Sequence, residues 1–153
     1  MVDPNHKDRF GTGVNYQSNT YNANIGYWII KFDNDVTTIG ESTFSGTANK
    51  ITSMILPSSV KSIESSAFSN CLYLKSIYLP EGITSIGNQA FMYCESLQEV
   101  LLPKTVTNIG MNAFGYCYAL SEMIIPEGVA EIGQGAFSNA SGIENYYMYP
   151  NPT

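Results

Sequence analysis

Apolar positions between residues 56 and 147 recur on one long interval, not on the short period of a single helix or sheet. Pro57, Pro80, Pro103 and Pro126 stand 23 residues apart. Phe68, Phe91, Phe114 and Phe137 keep the same spacing, as do Ala67, Ala90, Ala113 and Ala136, and Ile63, Ile86, Ile109 and Ile132. Four columns in common register mark a repeat architecture. The full units are residues 56–78, 79–101, 102–124 and 125–147. Each reads Leu/Ile-Pro, then Val/Ile-x-x-Ile, then Ala-Phe and, with substitutions, Cys-x-x-Leu-x-x-Ile. A degenerate unit, 25–55, precedes them. There Val36, Ile39 and Phe44 fill three of the columns, and the step from Phe44 to Pro57 is 13 residues instead of 12. Tyr27–Phe32 reads as the strand that opens the array.

Within a unit, Leu74-Lys75-Ser76-Ile77-Tyr78-Leu79 alternates apolar and outward positions with the period of a strand. The proline that follows cannot donate to a ladder and ends it, and the next pair, such as Glu81-Gly82, turns the chain. A short Val/Ile-x-x-Ile stretch follows. Gly87, Gly110 and Gly133 then begin a tight corner that points Ala and Phe inward. A unit of this length cannot bury its apolar face alone. Neighbouring coils must therefore stack, with equivalent strands paired in parallel about 4.8 Å apart. Residues 1–24 are expected to be a flexible or expression-derived leader, residues 25–153 the solenoid, and residues 148–153 an end without a polar capping unit.

Composition narrows the function. Charged residues make up only 13% of the chain, about half the globular average, so the surface is largely neutral and polar. The net charge of −6 is uneven. Residues 1–75 carry six acids and six bases, whereas residues 76–153 carry seven acids and only Lys104. With no basic cluster there is no ligand set for a phosphate backbone, so nucleic acid is not an expected partner, and anionic membranes are disfavoured for the same reason. The N-terminus lacks the apolar core of a signal peptide, and no stretch approaches the roughly 18 apolar residues of a span. No membrane insertion is expected.

The run Ala-Phe-x-x-Cys-x-x-Leu-x-x-Ile-x-Leu-Pro-x-x-Val-x-x-Ile-Gly resembles the BspA-like, or Treponema-type, leucine-rich repeat family over about residues 36–148. The resemblance implies an α/β, β-dominated solenoid. Its coils would form a right-handed stack with a parallel sheet on the concave side and short strands or helical turns on the convex side. It further implies a cell-surface or secreted module of adhesin type, binding a protein or glycan of a host matrix or cell surface. Similar repeats occur in phage genes, so a virion structural or receptor-contact component is the alternative. The chain departs from the pattern at Ala140, where a Cys is expected, and at Glu64, where a Gly is expected. The uncapped end makes self-association through the C-terminal coil a further expectation.

Catalytic and metal chemistry find little support in the residues. Cys71, Cys94 and Cys117 keep the 23-residue interval. They therefore read as a core column of small buried hydrophobes, not as a metal or disulfide set. His6 is the only histidine and has no anchored nucleophile near it. Glu99 and Glu122 fall one repeat apart at one outward strand position, where a solvated acidic patch outweighs a glycosidase pair or a divalent-cation site. No phosphate loop or calcium loop is present, and neither enzyme activity nor a cofactor is expected. The candidate binding residues are the outward strand positions. Ile55, Tyr78, Leu101, Ile124 and Tyr147 form an apolar column, and contiguous apolar surface marks interaction sites. Beside it run Ser53, Ser76, Glu99, Glu122 and Asn145. Tyr73, Tyr93, Tyr116 and Tyr118 gather at the edge where the strands begin, as recognition surface or as corner packing.

Overall fold

The computed structural model describes residues 16–22, 27–46 and 51–148, with side chains from 33 to 46 and from 51 to 144. In chain order the strands are β1 (Tyr16–Asn22), β2 (Tyr27–Phe32), β3 (Thr38–Ile39), β4 (Ser53–Ile55), β5 (Ser62–Ile63) and β6 (Ser76–Tyr78). They continue with β7 (Ser85–Ile86), β8 (Glu99–Val100), β9 (Asn108–Ile109), β10 (Glu122–Ile125), β11 (Glu131–Ile132) and β12 (Asn145–Met148). Beyond β2 they fall into two parallel stacks, as the repeat requires. The convex stack β3-β5-β7-β9-β11 is a continuous five-stranded sheet of two-residue strands. The concave stack is in two pieces, β4-β6-β8 and β10-β12. Ser53, Ser76 and Glu99 share one register position in the first piece, and Glu122 and Asn145 share it in the second.

Two features differ from the sequence reading at the N-terminal end. Residues 16–22, assigned above to a flexible leader, form β1. Its partner β2 does not open the parallel array but closes an antiparallel hairpin, with Thr20 opposite Ile29 and Tyr21 opposite Trp28. The polar run Gln-Ser-Asn-Thr between Tyr16 and Tyr21 hides the strand, because its antiparallel pairing with β2 follows no 23-residue column. His6 and residues 149–153 lie outside the described residues.

The core is a set of ladders running through the coils. Val60, Ile63, Phe68, Cys71 and Leu74 are buried, and their equivalents Ile83, Ile86, Phe91, Cys94 and Leu97 repeat the pattern one coil later. The phenylalanine rings stack from Phe44 to Phe137 with centroids 5.0–5.6 Å apart and planes within 10°. That is the offset-stacked spacing favoured by ring quadrupoles. Burial weakens in the last coil. Ile132 is 44% exposed, whereas its equivalents Ile63, Ile86 and Ile109 are closed to solvent.

The corner between the convex strand and the cysteine column consists of turns, and no helix occurs among the described residues. Its backbone hydrogen bonds explain this. The amides of Ser66, Phe68 and Asn70 donate to the carbonyls of Asn88, Ala90 and Met92 in the next coil, while Ala67 and Ser69 donate three residues back, to Glu64 and Ser66. An α-helix would need all of these amides directed four residues back. Left-handed φ angles of 56° at Ser66 and 60° at Asn70 turn the alternate amides outward.

Gly87, Gly110 and Gly133 serve a purpose other than the backbone freedom first ascribed to them. A Cβ on Gly110 would lie 2.6 Å from Asn88 N and from Gly87 C, and one on Gly133 only 2.3 Å from Met111 N. These glycines let adjacent coil backbones touch. The left-handed positions are two residues further on, at Gln89, Asn112 and Gly135.

Candidate functional site

The strand pattern decides which side chains reach solvent on the concave sheet. In β6 the central Ile77 is buried between exposed Ser76 and Tyr78, and β10 alternates exposed Glu122, buried Met123, exposed Ile124 and buried Ile125. The apolar column is therefore exposed at its four described positions. Ile55 is 79% exposed, Tyr78 60%, Leu101 63% and Ile124 38%. Backbone pairing carries the column on, with Tyr147 beside Ile124 and Asn145 beside Glu122. The side chains of Tyr147 and Asn145 lie outside those described.

Ser53, Ser76, Glu99 and Glu122 are exposed beside the column as expected. A third outward row, Thr52, Lys75, Gln98, Ser121 and Glu144, is also exposed and extends the acidic end. It escapes notice in the sequence because its residue type changes in every coil.

The concave sheet breaks where the acidic residues meet. The hydrogen bond at the strand start is 2.7 Å from Lys75 N–H to Thr52 O and 3.0 Å from Gln98 N–H to Lys75 O, then 3.4 Å from Ser121 N–H to Gln98 O. Beyond that point β8 and β10 do not join in one sheet, although the convex strands of the same coils pair without interruption. Continued pairing would set Glu99 directly beside Glu122. A cleft of about 310 Å³ lies at the break, between Gln98–Leu101 on one side and Ser121, Glu122 and Ile124 on the other.

The cysteines belong to the scaffold. Cys71, Cys94 and Cys117 are buried free thiols that donate to the carbonyls of Phe44, Phe68 and Phe91 at 3.4, 3.3 and 3.2 Å. The neighbouring Cys71 thiol and then burial raise Cys94 well above the usual thiol range. Burial pushes Cys117 up to about 12. Among the described residues no three metal-ligating side chains gather. The tyrosine edge splits. Tyr93 and Tyr116 stack at 4.6 Å with Tyr118 edge-on to Tyr116 at 6.2 Å, while Tyr73 and Tyr118 stay 52% and 45% exposed.

The profile of the BspA type leucine rich repeat region matches residues 16–146 in six copies. The chain belongs to this family. The six copies carry the repeat upstream of the degenerate unit, into the hairpin. Among solved structures, the chain is similar to a leucine-rich repeat protein of T. pallidum, with a TM-score of 0.73 and 28% identity over 84% of this chain and 67% of that one. A leucine-rich repeat protein of Bacteroides ovatus gives 0.72 and 30% over 87% of this chain and 39% of that one. A leucine rich cell surface protein of Faecalibacterium prausnitzii gives 0.70 and 28% over 92% and 40%. The chain thus spans about two thirds of the treponemal protein and about two fifths of the other two. A search of curated proteins finds no match. Among the described residues no helix is long and apolar enough to cross a membrane.

Proposed function

We propose that this chain is a non-catalytic binding module of a surface-exposed repeat protein, an adhesin-type domain that contacts a protein or glycan through its concave sheet. The supporting observation is the apolar column. Ile55, Tyr78, Leu101 and Ile124 stand exposed in successive coils, while the core ladders account for Phe44 to Phe137 and for the cysteines as scaffold. Single exposed hydrophobes are ordinary on any surface, but an aligned row of large ones is the composition of an interface core. A family relative described as a cell surface protein supports the location.

The test is the double variant Leu101→Lys and Ile124→Lys. Both side chains point away from the core, so its thermal unfolding should match that of the parent chain. Binding to immobilised host matrix proteins and to cultured cells should be lost. Undiminished capture by the folded variant rules out the concave column as the contact surface.

A further inference from the structure

The concave face is uniform in its apolar column but not in its charge. Along the row beside the column, Ser53 and Ser76 give way to Glu99 and Glu122, and along the strand-start row Thr52 and Lys75 give way to Gln98, Ser121 and Glu144. Residues 76–153 hold a single base, Lys104, and it lies in the turn after Pro103, past the end of the concave strand. At the centre of the acidic end the ladder opens, and the cleft there is walled by Glu99 and Glu122 together with Leu101 and Ile124.

A carboxylate pair flanked by two exposed aliphatic side chains matches one kind of group closely. Lys and Arg carry a cation on a long apolar stem, and they bury the stem along hydrocarbon while holding the charge at a polar edge. A neutral glycan brings hydroxyls that leave both the carboxylates' charge and the aliphatic surface unmatched. Sulfated or sialylated glycans bring the wrong sign.

We infer that the partner is a protein segment which lays aliphatic side chains on the Ile55–Ile124 column and sets Lys or Arg over Glu99, Glu122 and Glu144. This rests on the concave-face reading above and specifies its ligand. One basic side chain enters the cleft, its stem against Leu101 and Ile124 and its cation between Glu99 and Glu122.

The experiment uses the full chain and three synthetic peptides of about twelve residues, alternating Leu/Lys, Leu/Glu and Ser/Lys, at low and physiological ionic strength, together with cellopentaose as a neutral glycan. Three variants accompany the parent: Glu99→Gln with Glu122→Gln, Leu101→Ser with Ile124→Ser, and Glu127→Gln with Glu131→Gln away from the concave face. The Leu/Lys peptide should bind best, measured by fluorescence anisotropy. The concave carboxylate variant should weaken it about tenfold and flatten its salt dependence, as loss of complementary charge does. The Leu101/Ile124 variant should weaken it as well, and the Glu127/Glu131 variant should bind like the parent. If only the Leu101/Ile124 variant loses binding, the cation inference fails and the concave-face reading survives. If neither concave variant loses binding, both fall. Equal losses in the two carboxylate variants, or tighter binding of cellopentaose than of the Leu/Lys peptide, also overturn the inference.

Discussion

Phe68 and Phe91 lie 23 residues apart in sequence, yet their rings stack at 5.2 Å with planes only 1° from parallel. Each is closed to solvent, so each ring supports the coil above and the coil below. Phe91→Ala opens the middle of the ladder and should cost roughly 3–5 kcal/mol. Phe137, only half-buried in the last coil, should lose clearly less on the same change. Urea midpoints of the two variants decide the matter. Equal losses would argue against a stack in which stability accumulates coil by coil.

Gly110 tests the close approach of the coils. An added Cβ there would lie 2.6 Å from backbone atoms of the preceding coil, which cannot rotate away, whereas on Gly115 its nearest contact is 3.3 Å, to Asn112 O. Gly110→Ala should therefore destabilise by about 1–3 kcal/mol or more, with Gly115→Ala the milder change. Thermal melts of the two alanine variants give the comparison.

Gln89 holds φ at 57° with its side chain exposed. A left-handed conformation costs a non-glycine residue about 1–2 kcal/mol, part of which is offset by the added freedom of glycine in the unfolded chain. Gln89→Gly should raise stability by roughly 1 kcal/mol. Gly135→Ala should lower it, because Gly135 has a φ of 66° and a new Cβ would meet Asn112 Oδ1 at 2.5 Å. Denaturation midpoints moving in the same direction would refute the strain argument.

The thiols make two checks available. All three should resist a thiol reagent in the native protein and react on unfolding; a stoichiometrically bound metal would contradict their role as core. The pH dependence follows from Cys117, whose folded value of about 12 lies above its reference of 9.0. The stability linked to this thiol is complete below pH 9 and is lost as pH rises toward 12, by about 1.4 kcal/mol per pH unit where the unfolded thiol is ionised and the folded one is not. Cys117→Ala should flatten the decline of the urea midpoint between about pH 9 and pH 10.5 relative to the parent chain.

The 23-residue interval made the coil, its two strands and its core columns legible without any structure, because each column is one chemical requirement repeated at a fixed place. The same logic separated scaffold from surface: Cys94 and Phe91 recur as core, while Tyr78 and Leu101 fall on the alternate, outward face. What remained hidden depends on contacts between positions that share no pattern. β1 is set by antiparallel pairing with β2, a contact that the parallel 23-residue columns do not encode. Gly110 sits where another coil's backbone passes within contact distance, and Gln89 bears the left-handed turn that a sequence reader would assign to glycine. Nor does the repeat mark the break between β8 and β10, where Glu99 and Glu122 occupy equivalent positions in neighbouring coils. Periodicity fixes which side chains are equivalent; the tertiary structure decides what each one meets, because ladder pairing and close backbone approach act through space between coils.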